Sequence, residues 1–179
     1  MRPKILAAML LVCGIAATTT HAYAQESQTI SATVSPLSVS LTVNPGTIDY
    51  GTMAFETSRK STDPEAGGVT FTATNTGNAA ESFLVHGDNA TGDGFTWTLT
   101  DAIGCGPVTA RDKFRHSVTL VGSTSSLFLL PVTEYALATG VPALTGTVQF
   151  KSEFYMPCSG SGGAGKTAST SIIVVAVSP

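Results

Sequence analysis

The chain has 179 residues, a formal net charge of −3 and charged side chains at only 12 % of positions. That length suits one ordinary domain with a real core. No Lys/Arg cluster is present of the kind that phosphate backbones or anionic membrane surfaces attract, so nucleic acid is excluded as an expected partner.

Residues 1–24 read as a secretory signal. Arg2 and Lys4 make a short basic start, and Ile5 to Ala17 is an apolar run too short to span a bilayer. Ala22-Tyr23-Ala24 places small residues where a signal peptidase looks, so cleavage is expected before Gln25. Val12 precedes Cys13 where a lipoprotein signal carries a small residue, which argues against a lipid anchor. Residues 25–179 then form a single exported domain, more acidic than the whole chain, with no further run able to cross a membrane. The expected destination is extracellular, the cell surface or the periplasm of a bacterium.

Strand patterns follow at short intervals. Ile30, Ala32 and Val34 alternate with Ser31, Thr33 and Ser35, and Pro36 resets the register. Leu37, Val39, Leu41 and Val43 alternate with Ser38, Ser40 and Thr42, before a turn at Asn44-Pro45-Gly46. A strand kinked at Gly51 is expected over Ile48–Phe55, then a polar loop over residues 57–67. Val69, Phe71 and Ala73 alternate with threonines, and Asn75-Thr76-Gly77-Asn78 turns the chain into a strand over Glu81–His86. Phe95, Trp97 and Leu99 face one way, which puts Trp97 in the core rather than on a sugar platform. Strands are expected over Phe114–Val121 and Ser126–Val132, and another around Val148, Phe150 and Phe154. Val132–Leu137 is the one weak helical candidate. Ser171–Val177 is apolar on both faces, as a strand in the middle of a sheet would be. Nine or ten strands in two packed antiparallel sheets are therefore expected: an all-β, Greek-key sandwich.

Removing the leader takes Cys13 with it and leaves Cys105 and Cys158. An even pair in an oxidising compartment, with no C-x-x-C spacing, reads as a structural disulfide that ties the end of a strand to a neighbouring loop.

The remaining motifs weigh toward structure. Gly160 to Thr167 satisfies the phosphate-loop pattern G-x-x-x-x-G-K-T, but that chemistry needs a helix N-terminus after the loop. The residues that follow are β-branched, so a flexible Gly/Ser connection between the last two strands is expected instead. Asp88, Asp93 and Asp101 lie among glycines and are weak calcium candidates, although their spacing fails the EF-hand loop. Asn89-Ala90-Thr91 fits an N-glycosylation acceptor. His86 and His116 fall in different strands, and Arg111 to His116 reads as a solvated strand entrance. G-x-S-x-G is absent, and no nucleophile–base–orienter set is visible, so no catalytic residue, cofactor or metal site is assigned.

Two stretches resemble bacterial secreted immunoglobulin-like sandwich domains. They are Gly46-Thr47-Ile48-Asp49-Tyr50-Gly51-Thr52 and Val69-Thr70-Phe71-Thr72-Ala73-Thr74-Asn75-Thr76-Gly77. The tail from Tyr155-Met156-Pro157 to Ile172-Ile173-Val174-Val175-Ala176 is similar to the last hairpin of such domains. Trp97-Thr98-Leu99 matches one triplet of the WxL surface domains, without a second. The resemblance implies a surface, matrix or appendage component and no catalytic residue.

The functional expectation is thus a non-enzymatic structural or interaction protein. Its edge strands, or the Ile30 to Val43 segment, would pair with a neighbour by strand addition. The alternative is a binding module for glycan or another ligand, built on loops 57–67, 87–94 and 101–113 and stabilised by calcium in one variant.

Overall fold

A computed structural model describes Val34, residues 36–103, Cys105 and residues 111–178. The expected leader, the Ile30–Thr33 part of the first strand pattern and residues 106–110 lie outside the described residues. The chain divides into compact units Met1–Ser35 and Pro36–Pro179, and the described strands all belong to the second.

Alternation of Thr with apolar residues produces short extended segments whose alternate side chains turn inward. In chain order these are β1 (Leu41–Asn44), β2 (Ser58–Lys60), a 3-10 turn (Pro64–Ala66), β3 (Phe71–Asn75), β4 (Glu81–Gly87), β5 (Ala90–Gly92) and β6 (Phe95–Leu99). After them come β7 (Lys113–Leu120), β8 (Ser126–Phe128), β9 (Tyr135–Val141), β10 (Thr147–Tyr155), β11 (Ala168–Ser169) and β12 (Ile172–Val177). The all-β expectation holds; β2, β5, β9 and β11 are strands that were not expected, and β5 and β11 are only three and two residues long.

The larger sheet runs β1-β3-β10-β7-β6-β5-β11, with β2 on β10 and β8 on β7; the smaller is β12-β4-β9. The two form a sandwich-like pair over one core. Phe71, Trp97, Phe114, Val118 and Phe150 come from the larger sheet, and Phe83, Val85 and Leu137 from the smaller. Not every pairing is antiparallel as expected. β6 and β7 run parallel at Thr98↔Lys113 and Leu99↔Phe114, a pairing that a tight hairpin cannot make.

Three sequence expectations fail locally. Ile48–Phe55 is irregular rather than a strand. It makes no strand pairing among the described residues, and Gly51 and Glu56 hold positive φ. Its backbone is held by side chains instead: Asp49 accepts from the Gly51 N–H, and the Arg59 guanidinium donates to the Tyr50 carbonyl. The polar stretch 57–67 contains β2 and the 3-10 turn, because Ser58–Lys60 finds the end of β10. Val132–Leu137 is not helical. Pro131-Val132 forms a turn closed by the Leu130↔Thr133 bridge, with Val132 at φ 57, and β9 follows.

The Asn75-Thr76-Gly77 motif knots one end of the domain. The Asn75 side-chain amide donates to the Ala79 and Val141 carbonyls, and its Oδ1 accepts from the Gly77 N–H. Ser38 and Ser40 meet the same turn through backbone bonds to Thr76, Gly77 and Asn78. Glu81, fully buried, accepts from the Ser40 N–H at 2.8 Å. A Cβ on Gly77 would stand 2.2 Å from Glu81 Oε1 and 2.3 Å from the Ser38 carbonyl, so only glycine fits. Residues 36–44 therefore dock on their own domain, which settles that part of the Ile30 to Val43 segment as intramolecular.

Candidate functional site

β12 lies at the edge of the smaller sheet, not in its middle. It pairs only with β4, from Ile172↔Gly87 to Val177↔Ser82. Its other edge makes no ladder among the described residues, and all six side chains are half-buried. Ile172, Val174 and Ala176 pack against the core. Ile173, Val175 and Val177 occupy the alternate face. The tail's two-sided hydrophobicity thus reflects a half-covered edge, a configuration that natural sheets usually blunt with Lys or Pro; β12 contains neither.

β1, the edge of the larger sheet, stands on the same side of the molecule and approaches β12 without hydrogen-bonding to it. Beyond Val43 the irregular stretch Pro45–Met53 diverges from the Thr167–Val174 stretch. Between them opens a cleft of about 1010 Å³. Its inner wall carries Phe71, Trp97, His116, Phe150 and Phe154. These side chains are each less than a tenth exposed, so they form the base of a packed core rather than an aromatic platform.

A polar network sits against this wall. The Tyr50 hydroxyl lies 2.6 Å from Ser152 Oγ and 3.0 Å from His116 Nε2. The Tyr50 ring meets Phe154 at 5.5 Å between centroids and His116 edge-on at 5.8 Å. Burial pushes the His116 imidazole down to about 3, so it is neutral at any ordinary pH, and its Nδ1 has no hydrogen-bond partner among the described residues. Burial also holds the Tyr50 phenol above its ordinary range, against the opposing pull of the Ser152 hydrogen bond. Ser, Tyr and His are in line, but the tyrosine hydroxyl separates Ser152 from His116. Ser152 itself is 2 % exposed. A nucleophile needs its base within hydrogen-bond reach and a route for substrate; this arrangement instead pins Tyr50, and with it the irregular stretch, to the core. His116 thus belongs to the interior and not to a solvated strand entrance.

The other singled-out residues serve the same scaffold. Trp97 is in the core, as expected, and its indole N–H donates to the Gly162 carbonyl at 2.7 Å. The Gly160–Thr167 loop leads into β11 and β12 rather than a helix. It is tied down rather than loose: Asp112 Oδ1 accepts from Ser161 Oγ and the Gly162 N–H, and Lys166 Nζ donates to the Asp93 carbonyl. The Lys that would hold a phosphate is thus engaged with the β5–β6 turn. Gly163, at φ 85, lies against the Phe95 ring, where a Cβ would stand at 2.6 Å.

Cys105 and Cys158 form the expected disulfide, with Cα atoms 5.4 Å apart. Cys158 follows β10 and Cys105 follows β6, so the bridge joins the strand-end region to a loop. Glu56 with these two cysteines is the grouping of metal-type ligands found among the described residues. Its sulfurs are already bonded to each other. Asp88, Asp93 and Asp101 are exposed and sit in separate turns. Asp93 caps the β5–β6 hairpin at the end opposite Asp88 and Asp101, because Ala90 pairs with Trp97 and Gly92 with Phe95. Asn89 Oδ1 accepts from the Leu99 N–H at 2.9 Å, so the acceptor asparagine of the sequon is engaged. Of the three candidate ligand loops, 57–67 lies against β10, 87–94 forms the β5–β6 hairpin and borders a shallow polar depression with Ser169–Ser171, and 101–113 is only partly described. No helix among the described residues is long and apolar enough to cross a membrane.

The residues that reasoning from sequence missed are Tyr50, Ser152 and the free edge of β12. For the edge no local signal was present, since two-sided apolarity fits a half-covered edge as well as a buried centre. Comparison of the chain with protein-family models, with curated proteins and with solved structures finds no match.

Proposed function

We propose that this protein is a non-enzymatic, exported interaction module of surface, matrix or appendage type, with an immunoglobulin-like topology, that joins a protein neighbour by β-strand addition. The observation carrying this reading is the free edge of β12, apolar on both faces and bordering a cleft into the core. Main-chain groups along such an edge give affinity, and alternate side chains entering the cleft give specificity. The disulfide supports residence in an oxidising compartment. The glycan reading has less support, because the aromatic side chains at the cleft are buried and a sugar platform needs them in solvent.

The test is sedimentation of the full chain over a wide concentration range, beside Val175→Lys. Val175 lies on the face of β12 away from the core, so the lysine leaves the interior intact while it opposes a new strand. Concentration-dependent oligomers that the variant loses are the expected result. A strict monomer at high concentration that also takes up no added strand peptide would refute the reading.

A further inference from the structure

We propose that the outer face of the larger sheet binds a carboxylate-bearing polysaccharide, at a site separate from the free edge of β12 and independent of it. The chain scatters its cations along the sequence, but the strand register collects them. Phe114 is buried in the core, so Lys113 and Arg115 on either side of it point outward. Residues opposite one another in a ladder share a face. Tyr155 is opposite Arg115, Glu153 opposite Ser117, and Lys151 opposite Thr119. Lys60 stands opposite Glu153 on the other side of β10. Four of the nine lysines and arginines thus share one face. Glu153 is the one acid in the described strands of that sheet.

A stack of side chains marks the middle of this face. The Arg115 guanidinium lies 4.9 Å from the centre of the Phe128 ring and 5.3 Å from that of Tyr155, within cation–π range of both. The rings pre-position the guanidinium, so gripping a carboxylate costs it less freedom. Phe128 is 39 % exposed; here, unlike at the cleft, an aromatic ring stands in solvent where a sugar can lie on it. Beside it the Thr119 and Ser126 hydroxyls meet at 2.7 Å. β7 and β10 are paired on both sides, so they offer no main-chain edge to a peptide strand. A flat face read by side chains suits a polymer laid across it. Lys113 and Arg115 stand about 7 Å apart, with Lys151 about 14 Å beyond Arg115, so repeating carboxylates can meet several cations at once. The net negative charge of the chain does not prevent this, because at about 0.1 M salt charges beyond roughly 10 Å are screened.

The experiment titrates the full chain with alginate, a polyuronate, beside dextran, polyglutamate and duplex DNA. Binding to alginate that salt weakens is expected, with none to dextran. Arg115→Gln should weaken it about tenfold, the worth of one charge-assisted hydrogen bond, and Phe128→Ala should weaken it as well. Lys60→Gln, at an exposed position, gives a second reading with a smaller loss should Arg115→Gln lower the melting temperature. Lys166→Gln removes a charge from the Gly160–Thr167 loop, which packs on the inner side of β6, and should change nothing. No binding to alginate, or an equal loss in Lys166→Gln, would overturn the proposal. Polyglutamate or DNA bound as tightly as alginate would also overturn it, by showing that charge alone is read.

Discussion

Acidification should destabilise this domain through His116, and the size of the effect follows from its surroundings. The imidazole is enclosed by Tyr50 and Phe154, with ring centroids 5.8 and 5.4 Å away, and Nε2 meets the Tyr50 hydroxyl. Burial lowers its folded-state value to about 3 from 6.5. The folded-state affinity for a proton is thus the weaker one. Below 6.5 the unfolded chain takes up a proton that the folded chain refuses until about 3, so the contribution is complete above 6.5 and is lost as pH falls through that window. The slope is about 1.4 kcal/mol per pH unit, which amounts to about 3 kcal/mol by about pH 4.5. Carboxylates titrate in the same range, so the measurement is a difference. Urea unfolding is followed by the fluorescence of Trp97, the single tryptophan and a core residue, for the native chain and for His116→Phe. The phenylalanine keeps the edge-on packing and leaves the Tyr50 hydroxyl to Ser152. The variant should lose stability at neutral pH yet close the gap as pH falls, with a one-proton slope. A stability difference that stays constant from neutral pH to about 4.5 would refute the buried, neutral histidine.

Three further outcomes can be checked. Gly77→Ala should destabilise by about 2 kcal/mol or more in urea unfolding, because the new methyl must displace a backbone carbonyl and a buried carboxylate. Replacing Cys105 and Cys158 together by Ser opens a loop with a sequence separation of 53. Chain entropy puts the loss at about 4 kcal/mol, measurable as a lower urea midpoint under non-reducing conditions. Chelation of divalent cations should leave the melting temperature unchanged, since Asp93 is directed to the hairpin end opposite Asp88 and Asp101; a drop of several degrees would revive calcium.

Period-two stretches were the legible part of this fold. Phe71/Ala73, Phe83/Val85, Trp97/Leu99 and Phe150/Phe154 all turn inward as their alternation with Thr, Ser, Leu or Glu implies. β9 was not legible. Its Ala136, Ala138 and Gly140 give weak alternation, and a bulged register against β4 blurs it further. Ile48–Phe55 misled in the opposite direction. Ile48, Tyr50, Met53 and Phe55 are apolar enough for a strand, and each packs on the core, but the positive φ of Gly51 and Glu56 breaks the extended run.

Side-chain period, turn chemistry and cysteine parity are local properties, and they determined the all-β class, the inward rows and the disulfide. Edge or centre is different. A strand's place depends on which distant segment supplies its hydrogen bonds, and Ser171–Val177 carries the same residues in either place. Only the packed structure decided that β12 has one partner among the described residues, that β6 and β7 run parallel, and that Tyr50 reaches Ser152 and His116, residues 102 and 66 positions away. Those contacts are set by how the two sheets close on each other, which no short window of the chain encodes.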